Sequence, residues 1–187
     1  MTGVILAGGR SSRMGTDKAL IEFDGEPLAE RVLRMLRAAC DPILVASGDG
    51  RRLGSLGVPQ VADVVAEAGP LGGIVAGLEA AETDLVAVVA VDMPFASAEV
   101  LRLLAERWNG EDAVVPTTAR GPEPLHAVYA RAAAPALRRH LESGVFTMHG
   151  VLERIETLAV EEQDWRVADP SRRFALNVNR PGDLKSL

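Results

Sequence analysis

Near its start the chain reads Gly3-Val4-Ile5-Leu6-Ala7-Gly8-Gly9-Arg10-Ser11-Ser12-Arg13-Met14-Gly15-Thr16-Asp17-Lys18. Residues 3–6 have the length and composition of a short buried strand. Adjacent glycines after a strand remove side-chain bulk, so backbone N–H groups can approach a ligand closely. Three cations follow within nine residues, namely Arg10, Arg13 and Lys18. Amide donors, little bulk and fixed positive charge together predict a polyphosphate-binding loop.

The two best-known phosphate loops do not match this spacing. A Walker A loop needs Gly, four residues and then Gly-Lys-Ser/Thr, but counting on from Gly9 reaches Met14. A dinucleotide fingerprint needs Gly-x-Gly-x-x-Gly, whereas Gly8 and Gly9 are adjacent. The alternative to a ligand loop is a plain glycine turn with solvated arginines. The clustering of cations disfavours that alternative.

The composition limits the classes of protein to be considered. The chain has 187 residues with 48% apolar and 4% aromatic content, which predicts one α/β domain over residues 1–187. No apolar run reaches the ~18–20 residues of a membrane span, and we expect no secretory signal. A net charge of −6 argues against broad nucleic-acid binding. The single cysteine, Cys40, excludes an internal disulfide and fits a reducing cytoplasm.

Apolar patterning predicts alternating strands and helices. The predicted strands are residues 3–6, 19–23, 43–46, 58–62, 85–91, 112–116, 125–129, 157–160 and 174–176. Helices are predicted after Pro27, Gly69, Ser97, Ala134 and Thr147. On the first of these, Arg31, Arg34 and Arg37 should form a solvated face. This alternation predicts an α/β fold with a mostly parallel central sheet and helices on both faces.

Asp92 follows residues 85–91, the most apolar predicted strand, which should be central in the sheet. Folds of this class bind ligands at the carboxyl ends of their parallel strands. A hard oxygen ligand at this place suits Mg²⁺, which commonly takes one or two carboxylates plus phosphate oxygens. The structural alternative is that Asp92 merely caps a turn before Pro94.

Residues 69–73, Gly-Pro-Leu-Gly-Gly, open a predicted helix and allow two interpretations. Small residues in the first turn leave the N-terminal amides open to an anion or a base edge. Alternatively, the glycines permit tight packing of the helix on the sheet, since Gly73 and Gly77 share a face. The two interpretations are compatible.

Four motifs together resemble the signature of the molybdenum cofactor guanylyltransferases, the MobA family. They are Leu-Ala-Gly-Gly-x-Ser-x-Arg-Met-Gly-x-Asp-Lys at residues 6–18, Gly-Pro-Leu-Gly-Gly at 69–73, Asp-Met-Pro-Phe at 92–95 and Asn-Val-Asn-x-Pro at 177–181. They cover both ends and the middle of the chain. The resemblance implies a single Rossmann-like nucleotidyltransferase domain that transfers GMP from MgGTP to the terminal phosphate of molybdopterin, releasing pyrophosphate.

The resemblance also implies roles for individual residues. The nucleotide would be held by the backbone of Leu6, Ala7, Gly8 and Gly9, with Asp63 contributing to its recognition. Asp92 would bind Mg²⁺ and the nucleotide, while Lys18 and Arg13 would stabilise the departing pyrophosphate. Asn177 and Asn179 would lie near the pterin substrate or the metal, although they could also simply cap a helix. Residues 123–129 would face the second substrate; without the resemblance, His126 is a packed strand residue.

The partners implied are GTP and molybdopterin as substrates, with transient contact to other proteins of molybdenum cofactor or molybdoenzyme maturation. One departure concerns the base, because relatives often have Asn or Ser at the end of the second strand, which here ends in Ala46-Ser47. A molybdopterin cytidylyltransferase is therefore the nearest competing function, although Gly8 and Met93 favour guanine. A non-catalytic nucleotide-binding regulator and a sugar-phosphate nucleotidyltransferase are two more distant candidates.

Overall fold

The structure is a computed structural model that describes residues 1–8, 17–65, 68–144 and 146–178. Its strands are β1 Thr2–Leu6, β2 Glu22–Phe23, β3 Glu26–Pro27, β4 Ile43–Ala46, β5 Gln60–Val61, β6 Leu85–Ala90, β7 Ala113–Thr118, β8 Gly121–Pro122, β9 His126–Ala130 and β10 Thr157–Val160. Its α-helices are α1 Leu28–Leu36, α2 Pro70–Ala80, α3 Ala98–Arg107, α4 Ala134–Glu142, α5 Met148–Leu152 and α6 Glu162–Trp165. Short 3₁₀ turns span Lys18–Leu20, Gly54–Leu56 and Arg131–Ala133.

The main sheet has the spatial order β10-β7-β9-β6-β1-β4-β5, with β8 paired to β7. Strand β1 is parallel to β4 and β6, β4 is parallel to β5, and β10 is parallel to β7. Strand β9 is antiparallel to both of its neighbours, β6 and β7. The predicted mostly parallel sheet is confirmed, and β6 lies at its centre as expected.

Strand β1 shows why the sheet needs helices on both faces. Successive side chains of a strand point to opposite faces. Ile5 therefore packs in one core with Val32 of α1 and Leu101 of α3. Val4 packs in the other core with Ile74 of α2, and Leu137 of α4 belongs to the same cluster. Because both faces are covered, the five residues of β1 are buried throughout.

Two predicted strands are wrong in whole or in part. Residues 19–23 divide into the 3₁₀ turn Lys18–Leu20 and the short strand β2, because Asp17 Oδ1 accepts a hydrogen bond from Ala19 N at 3.0 Å and caps the turn. Residues 174–176 form no strand. The carboxylate of Asp169 instead accepts hydrogen bonds from the N–H groups of Arg173 and Phe174, at 2.8 and 2.9 Å. These two donors are therefore not available to pair with a neighbouring strand.

The longer elements follow the prediction closely, whereas the two-residue strands β3 and β8 were not predicted. Helix α3 begins after Ser97, whose Oγ accepts from Val100 N at 3.2 Å as a cap. The short helix α6 was not predicted, since its four residues provide too little periodicity. None of the helices in the described ranges has the length and apolar composition that a membrane crossing requires.

Candidate active site

The parallel strands β1, β4, β5 and β6 all end at the same edge of the sheet. Backbone hydrogen bonds extend the pairing beyond the strands: Ala7 N donates to Ala46 O at 2.8 Å, and Val91 N donates to Leu6 O at 3.0 Å. This edge therefore brings together residues from four separate parts of the chain. They are Ala7 and Gly8 after β1, Ser47 after β4, Asp63 after β5, and Asp92 after β6.

Lys18 and Asp92 are in direct contact at this edge. Lys18 Nζ lies 3.0 Å from Asp92 Oδ2, and the two side chains are 29% and 19% exposed. The residues are 74 positions apart in the chain. Asp92 is placed by the central strand β6, and Lys18 by the 3₁₀ turn that Asp17 caps. A cation and a carboxylate thus share one partly solvated position at the ligand-binding edge.

Arg52, in the loop after β4, is a further cation at this site. Its guanidinium donates to the carbonyl oxygen of Ala7, and its Nε lies 2.8 Å from Asp17 Oδ2. Its own backbone is fixed by Asp49, whose Oδ1 accepts from the N–H groups of Arg51 and Arg52 at 3.0 Å each. We did not predict this residue, because an arginine in a polar loop after a strand has no sequence signal beyond that of a solvated side chain.

Asp63 lies against Gly8, where a side chain would not fit. A Cβ atom on Gly8 would be 2.6 Å from Asp63 Oδ2, closer than any ordinary contact. Asp63 Oδ1 is buried and has no hydrogen-bond partner among the described residues. Burial raises the pKa of the Asp63 carboxyl above its ordinary value, although the Gly48 backbone and the charge of Arg52 oppose this. Asp63 Oδ1 is therefore an acceptor at this edge without a partner among the described residues.

Ser47 provides a second buried oxygen at the same edge. The residue is 1% exposed, and its Oγ has no hydrogen-bond partner in the described part of the chain. Its backbone N donates to Val61 O at 3.3 Å, which fixes it beside β5. Buried polar atoms of native proteins normally have partners, so Ser47 Oγ is available, as far as the described residues go, to bond with a polar ligand group.

Helix α2 packs tightly against the sheet through its glycines. A Cβ on Gly77 would be 2.8 Å from both Cγ atoms of Val4, and one on Gly73 would be 3.1 Å from Ala46 Cβ and Leu6 Cδ2. The packing interpretation of these glycines is therefore right. The approach of the helix also brings the first turn of α2 close to Asp63, because a Cβ on Gly73 would lie 3.4 Å from Asp63 Oδ1.

The predicted site residues near the chain termini are only partly described. Three of them lie outside the described ranges: Gly9, Arg13 and Asn179. Asn177 is exposed and directly precedes Val178, whose N–H donates to the carbonyl oxygen of Asp92 at 2.8 Å. Val178 is itself fully buried in a small cluster with Phe23 and Leu28. The backbone that carries Asn177 is therefore attached directly to the Asp92 position.

His126 is a core residue. Its Nε2 accepts a hydrogen bond from Ser97 N at 3.0 Å, its ring centroid lies 4.7 Å from that of Phe174, and the residue is fully buried. Burial lowers the pKa of His126 to about 4, so the imidazole is neutral near pH 7. The geometry favours the packed-strand interpretation, because the ring is inaccessible to any substrate.

The solvated arginine face predicted for α1 is wrong at Arg31. Its Nε donates to Pro94 O at 2.7 Å, and its guanidinium lies 4.8 Å from the ring centroid of Phe23. On the other side of the 92–95 segment, the Arg173 guanidinium lies 3.7 Å from the ring centroid of Phe95. Arg31 packs on the Phe23 ring and also binds the Pro94 carbonyl, and Arg173 packs on the Phe95 ring. Both arginines therefore support the segment that follows Asp92.

The chain matches the family model for the MobA-like NTP transferase domain over residues 3–158. It belongs to this family. Among its relatives, the probable molybdenum cofactor guanylyltransferase of Chloroflexus aggregans is 36% identical, over 99% of this chain and 92% of that protein. The probable molybdenum cofactor guanylyltransferase of Natronomonas pharaonis is 38% identical, over 98% of this chain and 95% of that protein. The resemblance indicated by the four motifs is thus confirmed.

One solved structure agrees with the family assignment, and a second shares the fold. Molybdopterin-guanine dinucleotide biosynthesis protein A from Archaeoglobus fulgidus superposes with a TM-score of 0.86 at 30% identity, covering 100% of this chain and 96% of that one. A 2-C-methyl-D-erythritol 4-phosphate cytidylyltransferase from Thermus thermophilus gives a TM-score of 0.68 at 19% identity, covering 98% and 95%. The second likeness concerns the fold alone.

The oxygen donors at this edge of the sheet fit Mg²⁺ that is shared with a ligand. Within the described ranges, no group of three or more His, Cys, Asp or Glu residues could hold a metal ion by itself. Asp92 provides a partly exposed carboxylate at the carboxyl end of β6. Mg²⁺ is usually bound by one or two carboxylates, with phosphate oxygens and water as its other ligands. The site therefore fits a magnesium ion that arrives with a polyphosphate.

Proposed function

We propose that this protein transfers GMP from MgGTP to the terminal phosphate of molybdopterin and releases pyrophosphate. The observation that carries the proposal is the 3.0 Å contact between Lys18 Nζ and Asp92 Oδ2 at the carboxyl edge of the sheet. Family membership and relatives named molybdenum cofactor guanylyltransferase support the same activity. The product would be the guanine dinucleotide form of the molybdenum cofactor.

In this reaction a phosphate oxygen of molybdopterin forms a bond to the α-phosphorus of GTP, and the bond from that phosphorus to pyrophosphate breaks. A phosphate monoester is largely ionised near neutral pH, so its attack needs no strong general base. Positioning and charge stabilisation then dominate catalysis. This requirement agrees with a site in which the described histidine of β9, His126, is buried and neutral.

The proposed roles divide the site between nucleotide binding and charge stabilisation. The backbone of Leu6, Ala7 and Gly8, continued by Gly9, holds the nucleotide. Lys18 and Arg13 stabilise the negative charge that develops on the departing pyrophosphate. Asp92 would hold Mg²⁺, and the bound ion would neutralise charge on the phosphate oxygens.

Asn177 and Asn179 are proposed to lie near the pterin substrate or the metal. The 2.8 Å hydrogen bond from Val178 N to Asp92 O supports this for the segment that carries them. Transient contact with other proteins of molybdenum cofactor or molybdoenzyme maturation, and a cytoplasmic location, remain predictions.

Guanine is the proposed base because the edge of the sheet carries buried acceptor oxygens. Asp63 Oδ1 is buried without a partner among the described residues, and a carboxylate only accepts hydrogen bonds. Guanine carries an N2 amino donor that adenine and uracil lack at that position, next to its N1–H. Ser47 Oγ, also buried without a described partner, can either donate or accept. This pair can satisfy the hydrogen-bonding edge of guanine.

The deciding experiment measures pyrophosphate release with molybdopterin and each of GTP, CTP, ATP and UTP, with and without Mg²⁺. We expect release with GTP and Mg²⁺, and at least ~10-fold less with CTP, about the discrimination of one hydrogen-bonded contact. Preference for CTP would instead identify a cytidylyltransferase. Binding of MgGTP without any release would identify a non-catalytic regulator, and either outcome would overturn the proposal.

A further inference from the structure

The two ends of the glycine-rich loop are joined by one side chain. Arg52 donates to the carbonyl oxygen of Ala7 on the strand side of the loop, and its Nε lies 2.8 Å from Asp17 Oδ2 on the other side. The Arg52 and Asp17 side chains are 28% and 18% exposed, so the pair is partly shielded from water. Arginine suits this place because its planar fork carries several N–H donors in fixed directions.

The contact continues from Asp17 to the Lys18–Asp92 pair. The second oxygen of Asp17, Oδ1, accepts from Ala19 N at 3.0 Å and caps the 3₁₀ turn Lys18–Leu20. Lys18 is the first residue of that turn, and its Nζ lies 3.0 Å from Asp92 Oδ2. Arg52 thus orients the carboxylate, the carboxylate fixes the turn, and the turn sets the position of the ammonium.

Arg52 can serve as an anchor because its own loop is fixed to the sheet. Asp49 Oδ1 accepts from Arg52 N at 3.0 Å, and Asp49 forms an isolated bridge with Ala62 beside β5. Gly50, with φ +73°, packs so closely that a Cβ there would be 3.0 Å from Ala62 N. The guanidinium is therefore held on the same framework that carries Ser47 and Asp63.

We propose that Arg52 is a positioning residue for the reaction, which holds Lys18 at the pyrophosphate side of the site by binding Ala7 and Asp17 together. The inference rests on the proposed guanylyl transfer. It assigns Arg52 no contact with substrate: its guanidinium acts through the Asp17 carboxylate. A shift of about 1 Å in a group that stabilises the transition state can cost up to ~10²-fold in rate, so this support has a measurable effect.

The test compares Arg52→Gln, Arg52→Lys and the matched control Arg51→Gln, which removes the same charge from the exposed neighbouring residue. In the pyrophosphate assay we expect Arg52→Gln to lower kcat roughly 10-fold while the KM for GTP changes less than ~3-fold. Arg52→Lys should be almost as slow, because an ammonium keeps the charge but lacks the planar fork needed to bind both partners. Arg51→Gln should match the unsubstituted protein.

A second measurement does not depend on the proposed activity. Amide hydrogen exchange at Ala19, whose N–H bonds to Asp17 Oδ1, should be faster in Arg52→Gln and unchanged in Arg51→Gln. If Arg52→Gln does not fold, Arg52→Lys provides the same test, with a similar expected loss of kcat and faster exchange at Ala19.

The outcomes separate this inference from the proposed function. Unchanged kcat or unchanged exchange at Ala19 in Arg52→Gln would overturn the positioning role. A raised KM for GTP at unchanged kcat in Arg52→Gln would indicate that Arg52 binds the substrate directly. Full activity of Arg52→Lys would show that only the charge of residue 52 matters. Either result would also overturn the inference. Absence of pyrophosphate release in the unsubstituted protein would overturn the guanylyl transfer itself, while the exchange measurement would still decide the role of Arg52.

Discussion

Replacing Lys18 by alanine should separate catalysis from stability. The Lys18–Asp92 pair has an Nζ–Oδ2 distance of 3.0 Å, but both side chains reach solvent, with 29% and 19% exposed. Ion pairs of this kind contribute ~0–1 kcal/mol to the free energy of unfolding. For a chain of this length, such a loss lowers Tm by no more than about 4 °C. The variant should therefore remain folded.

The same substitution should have a much larger effect on turnover. A preorganised charge that stabilises a transition state in a partly water-excluded site contributes ~2.7–4 kcal/mol, or about 10²–10³ in kcat. Lys18→Ala should thus lower kcat for pyrophosphate release from GTP by at least ~10²-fold. The loss should be visible at saturating GTP, because the ammonium is proposed to act on charge that develops as the bond breaks.

The control is Arg138→Ala, which breaks a two-bond ion pair that involves none of the site residues. Arg138 Nη2 lies 2.7 Å from Glu79 Oε2, on the surface between α4 and α2. Both variants should have circular dichroism spectra like that of the unsubstituted protein and small Tm shifts, but only Lys18→Ala should be slow. Turnover by folded Lys18→Ala within a few fold of the control would refute the reasoning.

Three other predictions follow from packing, burial and the metal. Gly77→Ala should lower the free energy of unfolding by about 1 kcal/mol in urea denaturation, because crowding against Val4 outweighs the gain in helix propensity. A variant more stable than the unsubstituted protein would contradict the close contact between Gly77 and Val4. Burial lowers the pKa of His126 in the folded protein to about 4, below its value in the unfolded chain. The neutral imidazole therefore makes its full contribution to the free energy of unfolding above pH 6.5, and that contribution is lost as the pH falls toward 4. Between pH 7 and 5 unfolding should become about 2 kcal/mol easier, and His126→Asn should remove this dependence; an unchanged slope would contradict the assignment. Chelation of divalent metal should abolish pyrophosphate release and leave Tm unchanged, because no described group forms a metal cage within the fold; a large fall in Tm would indicate a structural metal.

The sequence was most informative where local chemistry determines structure. The apolar run of β6 and the Ser97 cap of α3 both occur as expected, because burial and capping act over a few residues. Asp92 could be placed at a ligand edge for the same reason, since it directly follows a strand that had to be central. The family resemblance then supplied the expected substrates, which no local pattern contains.

The features that escaped prediction depend on side chains that bind backbone groups. Arg52 and Arg31 have the sequence context of solvated arginines, because the carbonyl oxygens of Ala7 and Pro94 that they bind lie 45 and 63 positions away. Residues 174–176 have a strand-like composition, yet the Asp169 carboxylate takes the backbone donors of Arg173 and Phe174. Outside helix caps such as that of Ser97, bonds from side chains to backbone groups leave no periodic signal in the sequence.

The hydrogen bond from Val178 N to Asp92 O has a consequence for biosynthesis of the protein. During translation, strands β1 and β6 can pair long before residue 178 has left the ribosome. The Asp92 carbonyl gains this partner only afterwards, when Val178 enters the apolar cluster with Phe23 and Leu28. A chain that is released early would therefore contain the paired strands but lack the hydrogen bond from Val178 to Asp92. Activity should accordingly appear later than the sheet during folding.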